Sequence, residues 1–295
     1  MLKPSAKILK HDENNIYFNF NDFKINKIAS RVVPMLLNKN KFNSIGYGVL
    51  QNLRMLEKES IDPYYMIRGE VAEYFTKLYM IKEIRKGGVE PTIKSYTPQG
   101  ENFDMFVYKD ETCPKSYKFF SGVIDLEITE PQHIVIEVKS KDIEKYQDFK
   151  NHKDLKPGDP SFEKRSWYYS EEEVMQGKTL TVLRGSKLLF MIYVFPKKHV
   201  EQFIKNEYMV NPTKWNNSVE TFIRDKKLGT SDFEFIVDKH IIDTEKFQED
   251  MNQAFLELRK HYNNGFIPKS LFLQKELENL LPEIYKVNID DGLPF

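Results

Sequence analysis

The sequence predicts an α/β fold, a central mixed β-sheet flanked by helices, and three stretches predict it. The run Gly122–Lys139, GVIDLEITEPQHIVIEVK, holds two Val- and Ile-rich segments, Gly122–Ile128 and His133–Val138. They are split by Thr-Glu-Pro-Gln, the pattern of two strands joined by a turn. Residues from Tyr64 to about Lys86 read as a helix that closes on Gly87-Gly88, the residue type best suited to a left-handed cap. Further on, Lys187–Pro196, KLLFMIYVFP, is nearly all apolar and bounded by Gly185 and Pro196, as expected of a strand buried on both faces.

The remaining elements follow in order. Residues 1–42 mix short apolar patches with Lys and Asn and carry no motif. From Ser44 to Glu59 the apolar positions Ile45, Val49, Leu50, Leu53 and Leu56 predict a short helix, broken by Asp62-Pro63. Thr92–Tyr96 and Phe103–Tyr108 are β-prone and are separated by Pro98-Gln99-Gly100. After Lys139 a polar run with Pro157-Gly158 and Asp159-Pro160 reads as a loop, given local positive character by Lys141, Lys145, Lys150, Lys153, Lys156, Lys164 and Arg165. Ser170 followed by Glu171, Glu172 and Glu173 marks a helix start, with the acids at the positive end of the dipole. Helices near Lys198–Met209 and Thr213–Lys227, a strand Asp232–Ile242, a helix from Asp243 or Thr244 to about Tyr262 and a last helix, Lys269–Leu281, complete the expectation.

Composition narrows the class. The 295 residues carry 44 basic and 44 acidic side chains, so no global positive field advertises nucleic acid, and any such contact must come from a local basic lining. No apolar run approaches 18 residues, and MLKPSAKILKHDENN lacks the apolar core of a signal peptide. The expectation is a soluble, cytoplasmic protein with no membrane partner, in a host cytoplasm if phage-encoded, since the abundance of Lys, Asn, Ile, Phe and Tyr suggests an AT-rich genome. The lone Cys113 excludes an internal disulfide and a four-cysteine metal site.

The chemistry concentrates in the hairpin. Successive strand side chains point to opposite faces, so Glu137 and Lys139 share a face while Ile136 and Val138 pack behind them. Asp125 lies between Ile124 and Leu126, and pairing of the strands brings it beside Glu137. Charged groups within apolar strands are costly to bury unless they hold a metal or a partner. A plain cross-strand salt bridge is the other reading of the same residues. On the preceding helix Gly69 and Glu73 lie one turn apart on one face; the glycine invites close approach of a neighbouring backbone, and Glu73 then either reaches a cleft or pairs with Lys77 in solvent.

Asp125, followed twelve residues later by Glu137-Val138-Lys139, resembles the PD-(D/E)XK nuclease superfamily, although Ile124 stands where the name has proline. The helix segment MIRGEVAEYF resembles the Arg-Gly-x-x-x-Glu helix of its RecB-like and lambda-exonuclease-like (YqaJ-like) branch. The resemblance covers residues 64–196 and implies a restriction-endonuclease-like core. It implies a nuclease domain over 64–270, an extension over 1–63, and a C-terminal helix and acidic tail over 271–295. It implies metal-dependent hydrolysis of DNA, most simply by a recombination or repair exonuclease acting on duplex ends. Asp125, Glu137, the Val138 carbonyl and Glu73 would hold Mg²⁺, with Mn²⁺ as a substitute, and Lys139 would orient and help deprotonate the attacking water. Gln176, on the helix after the hairpin, matches the family's glutamine, but Leu180 replaces the tyrosine that follows it there, and a surface glutamine is the other reading. A structure-specific or restriction-type endonuclease acting on duplex or single-stranded DNA is a further possibility, as is a non-catalytic adaptor.

HYNNGFIPK resembles the Gly-x-x-Pro close of lambda-exonuclease-like proteins, although helix stop signals alone account for it. The tip Asp290-Asp291-Gly292-Leu293-Pro294-Phe295 resembles the acidic end of single-stranded-DNA-binding proteins. That implies a replication or recombination partner docking on Asp290, Asp291, Leu293, Pro294 and Phe295; a frayed terminus is the alternative.

Overall fold

The computed structural model describes residues 10–12, 15–17, 28–37, 63–95, 120–121, 124–210 and 219–263. The expected helix Ser44–Glu59, the strand Phe103–Tyr108, the close at Gly265–Pro268, the helix Lys269–Leu281 and the tail Asp290–Phe295 lie outside them.

The strands are β1 (Lys10–Asp12), β2 (Asn15–Tyr17), β3 (Ile28–Ala29), β4 (Thr92–Ser95), β5 (Phe120–Ser121), β6 (Leu126–Glu130), β7 (Ile134–Ser140), β8 (Leu188–Pro196) and β9 (Phe233–Ile241). The helices are α1 (Val33–Leu36), α2 (Pro63–Arg85), α3 (Tyr146–His152), α4 (Phe162–Tyr168), α5 (Glu171–Leu183), α6 (Lys198–Val210), α7 (Val219–Lys226) and α8 (Thr244–Asn263). Strands β4, β6, β7, β8 and β9 form one five-stranded sheet in that order. It is mixed: β7 and β8 run parallel, and the other three pairs are antiparallel. The parallel pair requires a crossover, and α3, α4 and α5 supply it. The chain is thus an α/β protein with a mixed sheet flanked by helices, as its sequence predicts.

Two apolar clusters cover the two faces of the sheet. Val135, Leu189, Met191, Tyr193 and Phe195 pack with α1, α5 and α8. Ile134, Ile136, Ile192 and Val194 pack with Ile67, Val71 and Phe75 of α2 and with α6 and α7. The alternation of these residues along β7 and β8 is the two-residue period of a strand buried on both sides. Helix α2 begins with proline, whose missing N–H costs nothing there, and the turn that follows Arg85 closes at Gly88, where φ is +76°.

Helix α5 lies close to the sheet because of Gly177. A Cβ at that position would come within 2.9 Å of Leu189 Cδ2 and 3.0 Å of Met191 Sδ. Gly69 is different: a Cβ there would meet nothing within 4 Å, so the backbone approach expected at this glycine does not occur. The segment after Lys139 also departs from expectation, because it holds α3 and α4 rather than a loop. Phe149 of α3 is buried against Tyr169, Tyr193 and Phe195, and the His152 ring lies against that of Tyr168 of α4, tilted by 35° with centroids 4.7 Å apart. Those few apolar anchors fold a segment whose composition is otherwise polar.

Candidate active site

Only Leu126, Glu127 and Ile128 of β6 pair with β7, opposite Ile136, Val135 and Ile134. Beyond Leu126 the chain bends at Asp125, and β7 runs on past its neighbour through Glu137, Val138, Lys139 and Ser140. The Val138 N–H therefore has no strand partner on that side. It donates instead to Asp125 Oδ2 at 2.7 Å.

Lys139 Nζ donates to Glu137 Oε1 at 2.8 Å. Glu137 is only 3% exposed, and its other oxygen, Oε2, is buried with no hydrogen-bond partner. Both side chains project from the Val135 face, toward α5. Glu73 comes from α2 on the opposite face and meets the site where β6 has ended; Glu137 and Lys139 both act on its charge. The structure thus brings Asp125, Glu137, Lys139 and Glu73 together.

The electrostatics follow from that crowding. Burial raises the Asp125 carboxyl well above its usual range, and the charges of Glu137 and Glu73 raise it further, against the pull of Lys139 and the Val138 N–H. Glu73 is pushed up to about 7, first by burial and then by Glu137 and Glu70. Burial alone would lower Lys139, but Glu137, Asp125 and Glu173 overcome it and hold the ammonium above the ordinary lysine value.

A pH prediction follows from Glu73. With a folded-state value of about 7 against an ordinary 4.5, the folded chain binds more protons than the unfolded one between those two values. Stability therefore falls as pH rises through that window, and the loss persists above it. Glu73→Gln is expected to remove part of the decline in thermal-unfolding midpoint across that range. An equally steep decline in the variant would remove Glu73 from the buried acid cluster.

Neighbouring residues brace the site. Arg68 is 4% exposed and ties α2 to the end of β7, donating to Ser140 Oγ at 2.9 Å and Asp142 Oδ1 at 2.7 Å. Lys141 Nζ donates to Glu173 Oε1 at 2.8 Å. Glu173 lies one turn before Gly177 on the face of α5 that meets the sheet; the sequence marks it only as an acid at a helix start. Gln176 is partly buried on the same helix but makes no hydrogen bond to Asp125, Glu137 or Lys139. Of the seven cations expected to give the 141–165 segment positive character, Lys141, Lys145 and Arg165 pair with Glu173, Asp142 and Asp238.

The donor set is chemically of the kind a hard divalent cation takes. It consists of carboxylate oxygens, which such cations prefer, and one of them is buried and unpaired. The single ammonium leaves the three acids under-compensated. Among the described residues no group of three acidic, His or Cys side chains is already drawn together as an ion centre. The Val138 carbonyl or water would have to complete any coordination.

Fold and site together define an α/β protein with a buried acid and lysine centre where the sheet opens beyond β6. No protein-family model matches the chain, and no curated protein matches it in sequence. Among solved structures it is similar to an alkaline exonuclease (LHK-Exo) from Laribacter hongkongensis, with 12% identity and a TM-score of 0.44 over 89% of this chain and 95% of that one. LHK-Exo in complex with dAMP gives 13% identity and a TM-score of 0.43 over the same shares. A phage-related exonuclease from Haemophilus somnus 129PT gives 12% identity and a TM-score of 0.44 over 81% of this chain and 94% of that one. No helix among the described residues is long and apolar enough to cross a membrane.

Proposed function

We propose that the chain is a metal-dependent DNA nuclease of the PD-(D/E)XK type that hydrolyses phosphodiester bonds at duplex ends. The observation that carries this reading is the convergence of Asp125, Glu137 and Lys139, with one buried Glu137 oxygen left unpaired. A salt bridge built only for the fold would have no reason to gather two further acids around one lysine.

Asp125, Glu137, the Val138 carbonyl and Glu73 are the groups that would hold Mg²⁺. Bound there, the cation supplies charge neutralisation at a phosphoryl group and lowers the pKa of water. The chain's own residues do the positioning. Glu137 fixes the Lys139 ammonium, and that ammonium, held protonated by the surrounding acids, donates to the attacking water or to a phosphate oxygen. Orientation is thus the part the geometry supports for Lys139, since an ammonium cannot take the water's proton. Arg68 keeps α2 and the end of β7 in fixed relation, so Glu73 stays aimed at the same point. Cleavage on the 3′-oxygen side leaves products with a 5′ phosphate.

The test is incubation with end-labelled linear and covalently closed circular duplex DNA, with Mg²⁺ or with EDTA. The expected result is loss of the linear substrate only, in Mg²⁺ only. Equal cutting of the circle would replace end-dependent action with endonuclease action, and undamaged linear DNA in Mg²⁺ would reject the nuclease reading.

A further inference from the structure

Gly69 stands inside the 23-residue helix α2. After proline, glycine is the residue that least favours a helix interior, and the described fold does not require one here. Gly69 has no positive φ, and among the described residues a Cβ on it would meet nothing within 4 Å. Alanine would fit and would hold the helix better. Gly177 serves packing against the sheet; Gly69 does not. It lies instead on a stripe that ends at the acid centre. Residues three and four apart share a helix face, so Tyr65 and Met66 stand one turn before Gly69 and Glu73 one turn after it. Tyr65 is 60% and Met66 53% exposed, whereas Ala72 and Thr76, further along the same side, are fully buried. The stripe thus starts in solvent at a phenol ring and a thioether, crosses the open glycine and reaches Glu73 in the acid centre. At a rise of 1.5 Å per residue, Gly69 lies about 6 Å and Tyr65 about 12 Å from Glu73 along the axis.

We propose that the stripe Tyr65–Met66–Gly69 is the track along which one strand of the DNA substrate enters the acid centre, with a sugar or base lying on the Gly69 backbone and a base stacked on Tyr65. Three observations support this. A group resting on Gly69 abuts Glu73, so the occupant and the reacting strand are continuous. Any side chain at position 69 would stand in that path, which accounts for a glycine kept at the expense of helix stability. The exposed Tyr65 ring offers a base the flat apolar surface on which single strands stack without regard to sequence. The neighbouring Glu70 carboxylate disfavours a phosphate on the glycine itself, so the sugar or base is the group that comes close. At 3.4 Å per stacked nucleotide, Tyr65 acts on a nucleotide about three or four positions from the bond that is cut. The inference rests on the nuclease reading for the identity of the occupant, but not for the open helix face.

Thermal unfolding and DNA binding of the full chain, both in EDTA so that no strand is cut, test the track. The probe is a fluorescently labelled DNA duplex with a short single-stranded end. Gly69→Ala is expected to raise the unfolding midpoint by about 2 °C and to bind the probe more weakly than the wild type. Gly69→Leu, which fills the track, is expected to fold and to lose affinity by about tenfold or more. Tyr65→Ala is expected to weaken binding about tenfold, the loss of one stacked base, and Tyr65→Phe, which keeps the ring, to bind as the wild type does. A midpoint lowered by Gly69→Ala would mean that the chain itself packs on this glycine, and would overturn the proposal. Wild-type affinity in Gly69→Leu would overturn it as well, as would a wild-type chain that binds no DNA. Should Gly69→Leu not fold, Gly69→Ala and Tyr65→Ala decide, and unchanged affinity in both rejects the track. A wild-type chain that binds the probe through these residues but cuts nothing in Mg²⁺ rejects the nuclease reading and leaves the track standing as a DNA-binding surface.

Discussion

Asp125→Ala and Lys139→Ala are each expected to lower Mg²⁺-dependent degradation of linear duplex DNA by about a thousandfold or more, or about 4 kcal/mol of transition-state stabilisation. The fold is expected to survive both. Asp125 sits among like charges and is already destabilised in its ionised form, so its removal relieves repulsion while losing one hydrogen bond to the Val138 N–H. Lys139 balances this: its loss leaves Glu137 without the one hydrogen bond it makes, and some loss of stability is expected above neutral pH. Single-turnover rates with linear DNA, beside circular dichroism of each variant, check the prediction. Full activity in either variant would remove that residue from the chemistry, whatever its neighbours look like.

Arg184→Met is expected to have the largest effect on stability. Glu127, the middle of the three β6 residues that pair with β7, is 1% exposed. Arg184 Nη2 donates to Oε1 at 3.0 Å and to Oε2 at 2.8 Å, Arg184 Nε donates to Oε1 at 3.2 Å, and His133 Nε2 lies 2.7 Å from Oε1. Removing one member of a buried ion pair strands the other charge and costs about 3–5 kcal/mol, whereas replacing both with apolar groups costs far less. Chemical denaturation should therefore show Arg184→Met as much less stable than Glu127→Leu/Arg184→Met. A single variant as stable as the double would mean that His133 alone compensates the carboxylate. Catalysis is expected to be unaffected in molecules that fold, because neither Glu127 nor Arg184 is among the groups whose charges act on Asp125, Glu73 and Lys139.

The contrast between these two clusters shows what can be read from a linear chain. Strand alternation places Glu137 and Lys139 on one face without any knowledge of tertiary structure, and an acid in the first strand of a hairpin must come near the second. The sheet, its flanking helices and the Asp125, Glu137, Lys139 grouping were legible for that reason. Glu173 was not, because its place is set by how closely α5 approaches β8, and that distance is decided by the fit of Gly177 against Leu189 and Met191. Nor was the bracing by Arg68, whose partners Ser140 and Asp142 lie 72 and 74 residues away. Helices α3 and α4 were hidden by their own composition, since so few apolar side chains, Phe149 chief among them, hold so polar a segment to the core. Gly69 misled in the opposite direction: its spacing from Glu73 suggested a tight contact, and the space there is open.

The claim beneath all of this is that the acids around Lys139 are gathered to hold a divalent cation. Titration calorimetry with Mg²⁺ or Mn²⁺, without DNA, on the wild-type chain and on Asp125→Ala and Glu137→Gln tests it most directly. The account predicts saturable binding to the wild type and its loss in both variants. Binding of equal strength in all three, or none in the wild type, would contradict it.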